Sequence, residues 1–292
     1  MHDDGRVLAD VVRFLTCPVC AEPLAQEARE LRCPNRHGFD IAKQGYANLL
    51  PGNARPGTAD TPEMVSARDV FLAAGHFAPM AEALGHLASP SLGEARLGSD
   101  GCLLDAGAGT GYYLSAVLDR PEAQKTLGLA LDISKYAARR AARAHPRIGA
   151  IVADLWRPLP VADSAAVAIL NVFAPRNAAE FHRVLRPDGS LVVVTPSSRH
   201  LGSLVDVLGL LKVDEQKEER TDATLADHFD LVSRDELEFE APLAHEEILT
   251  LVGMGPSAHH VGADTLAARL SELPDPHPVP LSFVLSHFRR KP

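Results

Sequence analysis

Only four of the 292 residues are cysteine, too few for a disulfide framework and natural in a reducing compartment. No stretch of about twenty apolar residues occurs, so no membrane span is expected. The opening MHDDGRVLAD is acidic and lacks an apolar segment, which argues against a secretory signal and for a cytoplasmic protein. There is no internal repeat and no low-complexity tract. Positive charge is in deficit as well: the formal net charge is −9, which argues mildly against a partner made of phosphates. The deficit is uneven. Arg13, Arg29, Arg32, Arg36, Lys43 and Arg55 lie in or beside one cysteine stretch, while acidic residues gather in KVDEQKEERTD and DELEFE. A neutral or basic module on an acidic body is still compatible with RNA, so net charge leaves the partner open.

What is present is an ordinary soluble composition, 46% hydrophobic and 23% charged, on a chain long enough for an α/β domain plus a smaller module. Three of the four cysteines fall with a histidine inside CPVCAEPLAQEARELRCPNRH, as Cys17-x2-Cys20, twelve residues, then Cys33-x3-His37. Thiolate and imidazole are the donors zinc prefers, and Cys3His is a closed tetrahedral set. The expected role is structural, with metal binding replacing a core too small to stand alone. Proline follows the first cysteine of each knuckle and favours a tight turn. Arg36, inside the second knuckle, hints at phosphate contact. Cys102, among apolar residues in GCLLDAG, reads as a small buried hydrophobe.

Three regions follow from the pattern. Residues 1–60 hold the zinc-binding module, which ends in a loop rich in Gly, Pro and Asn. Residues 61–100 form a helical linker, where PEMVSARDVFLAAGHFAPMAEALGHLA reads as one or two amphipathic helices and SPSLGEARLGSDG as a break. Residues 101–292 form the main domain. There the apolar runs CLLDAG, TLGLALD, GAIVAD, AAVAILN and SLVVVTP read as strands, and YYLSAVLD, KYAARRAARAH, NAAEFHRVLR and HLGSLVDVLGLL as helices. Continuous apolar strands alternating with helices imply a parallel sheet covered on both faces. LSFVLSHFRR reads as a final strand.

The segment LLDAGAGTGYYL carries the second signal. A strand ends at Asp105, then Gly107, Gly109, Thr110 and Gly111 make a tight turn into a helix near Tyr112. Glycine lets backbone approach a ligand closely, and cofactors bind at the carboxyl end of a first parallel strand. The dinucleotide fingerprint wants glycine where Tyr112 stands, and no Lys-Ser/Thr pair closes the loop, which excludes a triphosphate P-loop. Asp132 ends the second strand, where a carboxylate can accept both hydroxyls of a ribose. Asp154 ends AIVAD and is placed for an adenine amine. This trio resembles class I S-adenosylmethionine-dependent methyltransferases. Another Rossmann-like enzyme using NAD is the competing reading, and Asp105 is equally placed simply to hold the turn.

The order of zinc knuckles, FDIAKQGYANLLP, FLAAGHF, LDAGAGTGYY, NVFAPRN and VTPSSRHL resembles the RlmA family, the 23S rRNA guanine-N1 methyltransferases, over nearly the whole chain. AILNVFAPRN, RAARAHPR, VDVLGLLKV and MGPSAHH are similar to the actinobacterial branch that includes the tylosin-resistance methyltransferase. The resemblance implies an α/β fold: a Rossmann-like class I methyltransferase domain with a mostly parallel seven-stranded sheet and a small N-terminal zinc-binding domain that helps recognise RNA. It implies a guanine target in a domain II hairpin loop near the macrolide site, homodimers with an RNA groove, and macrolide resistance or a housekeeping role. Carried over, Cys17, Cys20, Cys33 and His37 become zinc ligands. Gly107 to Tyr112 become the cofactor loop, and His200 a cofactor contact. Phe77 stands where some relatives have tyrosine, keeping a ring but not a hydroxyl.

Guanine N1 carries a proton, so the reaction needs the base held in line with the sulfonium methyl and a way to remove that proton. A hairpin-loop base can be turned out and read on its Watson–Crick edge. The expected catalytic set is Asn171 for that edge, Phe173 for stacking and Arg176 for a phosphate or the charge on O6, with Pro175 stiffening the loop. Asn171 is equally placed to cap the strand, and Phe173 to join the core. His200, Asp154 and water are all candidates to take the proton. His76, His86, His259 and His260 read as surface or packing residues. Two other functions compete: methylation of a small metabolite, and a silent binder of rRNA or cofactor.

Overall fold

The computed structural model describes residues 6–52, 59–92, 101–211, 216–255 and 263–292. The loop residues 53–58 and 93–100 and the pair His259 and His260 lie outside the described residues.

The chain opens with α1 (Arg6–Val11). β1 (Ala25–Glu27), β2 (Glu30–Arg32) and β3 (Gly38–Asp40) then form an antiparallel three-stranded sheet that carries the cysteine stretch. β4 (Tyr46–Asn48), α2 (Pro62–Ala73) and α3 (Ala78–Leu92) lead to β5 (Cys102–Ala106). Alternation follows: α4 (Tyr112–Leu118), β6 (Leu127–Asp132), α5 (Lys135–Ala144), β7 (Ile148–Val152), β8 (Ala166–Val172), α6 (Ala178–Val184) and β9 (Leu185–Pro196). The chain ends with α7 (Gly202–Leu208), α8 (Lys217–Leu225), β10 (Phe229–Leu243), α9 (His245–Gly253), α10 (Ala263–Leu270) and β11 (His277–Arg290).

The main sheet runs β10-β11-β9-β8-β5-β6-β7-β4. Its strands from β9 to β4 are parallel, and β11 and β10 are antiparallel. Seven of these strands make the expected sheet. The eighth, β4, comes from the N-terminal segment and pairs Tyr46–Asn48 with Ala150–Val152 of β7. The order reverses between β6 and β8, on either side of β5, and in open α/β sheets such a switch, at the carboxyl end of β5, is where ligands bind.

β5, β7 and β8 are buried along their whole length, which is why they are continuous apolar runs rather than alternating ones. Two cores cover the two faces. Leu103, Leu114, Phe77 and Phe283 share one, while Leu104, Phe181 and Leu15 share the other. Cys102 is fully buried in the second core, and burial pushes its thiol up to about 12. The second core also takes in Cys17, Leu31, Cys33 and Leu49, so the zinc-ligand stretch and the main sheet share one apolar interior.

The two expected linker helices are α2 and α3, separated at Gly75, whose φ of +85° ends the first. Thr61 caps α2 by accepting from Met64 N, with Pro62 in the first turn. The break expected at Ser89 comes later. α3 continues through Pro90 to Leu92, because Leu92 is buried and Ser91 reaches Ser190 on β9 at 2.8 Å. Tertiary contact outweighs the local breaker there. The acidic segment DELEFE is strand β10, and part of its charge is paired: Arg199 meets Glu236 and Glu238 at 2.6 and 2.5 Å.

Candidate active site and metal centre

The ligand atoms of Cys17, Cys20, Cys33 and His37 lie within 4.8 Å of one another. Cys20 Sγ is 3.7 Å from Cys33 Sγ, and His37 Nδ1 is 3.5 Å and 3.4 Å from the sulfurs of Cys17 and Cys33. Zinc bonds of ~2.3 Å to sulfur and ~2.0 Å to nitrogen make a tetrahedron with edges of about 3.4–3.8 Å, so these three distances fit that ion. Two tight turns produce it. Ala21 N donates to Cys17 O at 2.8 Å, Arg36 N to Cys33 O at 2.9 Å, and Ala21 and Arg36 both take positive φ. Burial pushes the Cys17 thiol up to about 11, a penalty that a bound cation reverses. Arg36 is exposed on the second knuckle.

The glycine turn sits at the switch point. Gly107, Gly109 and Gly111 have φ of +91°, +54° and +80°, a region that a side chain makes costly. A Cβ at Gly107 would come 2.3 Å from that of Ala174, so the turn is pressed against the loop after β8. Asp132 holds the turn from beneath: Oδ2 accepts from Gly109 N and Oδ1 from Ser134 N, both at 2.8 Å. Burial raises Asp132, and those two amides oppose the shift. Each oxygen keeps a further lone pair for a ligand hydroxyl. Asp154 anchors its own turn by accepting from Trp156 N at 2.9 Å, with Arg157 Nε 3.6 Å from its other oxygen.

Asp105 is 1% exposed, and neither of its oxygens has a hydrogen-bond partner among the described residues. Burial, then the nearby Asp132, push its carboxyl up to about 8. An orphaned acid beside a bare glycine turn suits a ligand that brings an ammonium group, as the methionine end of S-adenosylmethionine does. Thr110 is buried within the turn, and Tyr112 opens α4.

Against the turn stands the loop after β8. Asn171 is fully buried and donates both Nδ2 hydrogens, to Ala106 O at 3.0 Å and Pro175 O at 2.9 Å. The expected amide donors to a base are therefore spent on the protein, and only Oδ1 lacks a partner among the described residues. Phe173 has φ of +53° and is 42% exposed, so it joins no core. Its ring lies 5.8 Å from Phe283, which also meets His200 at 4.9 Å and Phe77 at 5.1 Å. Phe77 is 1% exposed, its ring packed against these aromatics. His200 accepts from Ser282 N through Nδ1, which puts the proton of the neutral ring on Nε2. Arg176 is half-buried, burial lowers its pKa, and Nε has no partner among the described residues.

Three residues here carried no sequence signal of a role in the site. Phe283 is the hub of the aromatic group, and its sequence marks it only as part of a strand. Arg68, on α2, lies over Gly109, donates to Met254 O at 2.8 Å and pairs with Asp60. Asp60 O in turn accepts from Ser134 Oγ at 2.8 Å, so the linker closes onto the glycine turn. His76 pairs with Glu247 at 2.8 Å and serves packing, while His86 stays exposed beside Glu82 and Arg120.

A zinc-ribbon family model described as RlmA, N-terminal, matches residues 15–56, and a model described as a methyltransferase domain matches residues 104–193. A protein of Micromonospora griseorubida with the provisional name 23S rRNA (guanine-N(1)-)-methyltransferase is 48% identical over 293 residues, 96% of this chain and 98% of its own. The 23S rRNA (guanine(748)-N(1))-methyltransferase of Streptomyces fradiae is 48% identical over 283 residues, 97% of this chain and 99% of that protein. A Bacillus subtilis strain 168 protein with the same provisional name is 34% identical over 190 residues, 63% of this chain and 65% of its own.

Proposed function

The chain belongs to the family of 23S rRNA (guanine-N1)-methyltransferases, and we propose that its target is the guanine named in the Streptomyces fradiae relative, guanine 748, in a domain II hairpin loop. The observation that carries this reading is 48% identity over both regions at once, zinc ribbon and methyltransferase sheet. S-adenosylmethionine supplies an electrophilic methyl on sulfur, and zinc holds the ribbon. Among the described residues no helix is long and apolar enough to cross a membrane. The reading takes the working form as a cytoplasmic homodimer on 23S rRNA, with macrolide resistance of the tylosin type as a consequence.

The glycine turn Gly107–Tyr112 and the acids Asp105, Asp132 and Asp154 hold the donor, with Phe77 and His200 behind it. Asn171 pins the loop of Phe173 and Arg176 to Ala106, and its Oδ1 has the acceptor polarity that guanine N1–H demands. Phe173 stacks on the base, its positive φ turning the ring out of the core. Arg176 faces O6 and steadies the charge that builds as N1 loses its proton. His200 in its Nε2–H form is a donor, which leaves Asp154, with lone pairs beyond the one its turn uses, and solvent water as the proton acceptors.

Purified chain, labelled S-adenosylmethionine and unmodified 23S rRNA test this directly, with the product mapped by mass spectrometry. A single 1-methylguanine at position 748 is expected. Cofactor binding with no transfer to rRNA would move the substrate to a small metabolite. Expression in a susceptible host tests resistance by the tylosin concentration that stops growth.

A further inference from the structure

The turn after β7 presents Trp156, the chain's sole tryptophan, at 68% exposure. Leaving so large a ring in water forgoes the burial that usually holds it inside. The exposure is not the result of a loose backbone. Trp156 N donates to Asp154 Oδ1, and Asn177 Nδ2 donates to Leu155 O at 3.0 Å and Arg157 O at 3.4 Å. Leu155 and Leu159, on either side, are buried at 5% and 3%. Just beyond, Thr16 N donates to Pro160 O at 3.1 Å and Leu15 bridges Val161. The ring therefore stands on a pinned turn between the zinc ribbon and the carboxyl edge of the sheet, where the methyl donor is held. Pro18 of the first knuckle lines one groove with Asp154 and Arg157, and neighbouring Val19 is 62% exposed.

The exposed charge beside it is mainly positive, Asp154 being 23% exposed and turned to Trp156 N and Arg157. Arg157 is 53% exposed. α5 carries Lys135, Arg139, Arg140 and Arg143 with no acidic residue, although the whole chain has a net charge of −9. Of these four, Arg140 meets a carboxylate among the described residues, Asp69 at 2.5 Å. α5 starts directly after β6 and runs back to the start of β7, so Lys135 lies at the same sheet edge as Trp156. A rigid aromatic plane flanked by cations is the arrangement that grips an unpaired nucleotide, the ring stacking on the base and the cations tracking phosphate.

We propose that Trp156 is a stacking platform for an unpaired base of the substrate RNA next to the target guanine, with Arg157 and the first turns of α5 holding the adjoining phosphates. This rests on the rRNA reading above. It gives that reading a second contact, outside the transfer site, that fixes which loop is accepted.

Being the sole tryptophan, Trp156 reports on itself. Full-length protein saturated with S-adenosylhomocysteine is titrated with the unmodified hairpin RNA while indole fluorescence is followed. Quenching by RNA is expected, with about a ten-fold rise in RNA KM for Trp156→Ala, partial rescue by Trp156→Phe, and unchanged cofactor Kd. Quenching by S-adenosylhomocysteine with no further change on RNA would assign the ring to the cofactor and overturn the proposal. Quenching that follows protein concentration would assign it to a second copy and overturn the proposal equally. Native chain that methylates the hairpin while Trp156→Ala keeps its KM sinks the platform and leaves the rRNA reading standing. Native chain that neither binds nor methylates the hairpin sinks both.

Discussion

The backbone amide of Gly109 donates to Oδ2 of Asp132 at 2.8 Å, so the acid at the end of β6 latches the glycine turn. The same carboxylate takes Ser134 N. Asp132→Ala removes the latch and, on the proposed reading, the ribose acceptor with it. Charge-assisted hydrogen bonds are worth roughly 1.5–3 kcal/mol, so Kd for S-adenosylhomocysteine should rise at least about ten-fold. Calorimetric titration measures it, and an unchanged Kd would take Asp132 out of the cofactor site.

Asp105 makes stability depend on pH in an unusual direction. Its folded pKa, about 8, lies above the ~3.9 of an unfolded aspartate. Between those values the folded chain keeps a proton that the unfolded chain has lost. Its contribution is therefore complete at low pH, declines as pH rises from about 4, and is gone above about 8. Asp105→Asn stays neutral throughout. Its advantage in Tm over the native chain should widen by several degrees from pH 5 to pH 8, at ~2–4 °C per kcal/mol for a chain of this size. A flat difference would contradict the burial of a bare carboxyl.

How much of the molecule is legible in its sequence depends on distance along the chain. The Cys3His set and the glycine turn are local, since their spacing is itself the geometry, and both were legible. The parallel strands were legible because burial on both faces writes itself as unbroken apolar sequence. β4 was not, since three residues pairing with β7 from about a hundred positions away leave no periodic trace. Nor were Arg68 over Gly109, or Phe283 between Phe173 and His200, which the fold brings in from remote elements. Asn171 was found for its position at the end of a strand, but which of its amide atoms was spent could be seen only in three dimensions.

Zinc should stabilise the whole chain and not the ribbon alone. Cys17 and Cys33 share a core with Leu104 and Ile151 of the main sheet. Cys33→Ser, or exhaustive chelation, should lower a single melting transition by about 5 °C or more and abolish bound zinc by atomic absorption. Two separate transitions would show the ribbon to be energetically independent.

Phe173 offers a separation of activity from stability. A bulky residue at φ of +53° stores of order 1 kcal/mol of strain, and asparagine tolerates that region better. Phe173→Asn should keep Tm within about 2 °C, the relieved strain offsetting a lost contact, while methyl transfer falls about ten-fold or more. A drop in Tm of the size expected for a core phenylalanine, with transfer intact, would make the ring structural.

Asn171→Asp keeps the shape and reverses the polarity facing Ala106 O and Pro175 O. Losing two buried hydrogen bonds at ~1–3 kcal/mol each should cut kcat about a hundred-fold. Cofactor Kd should move far less, because Asn171 bonds Ala106 O and Pro175 O and none of the atoms of the turn Gly107–Tyr112. Equal losses in both would place Asn171 under the cofactor instead.

The zinc ribbon is clamped at both ends: Leu15 bridges Val161 on one side, and β4 is a strand of the main sheet on the other. Among the described residues, both anchors are strand contacts to the sheet whose carboxyl edge carries the glycine turn. The span from knuckle to that edge is therefore a constant of the fold, and on the rRNA reading proposed above the protein would measure its substrate as a fixed gauge does, taking a guanine that lies one set length from whatever the ribbon grips. Adding a base pair to the RNA stem between the two would carry the guanine out of reach and leave its chemistry untouched.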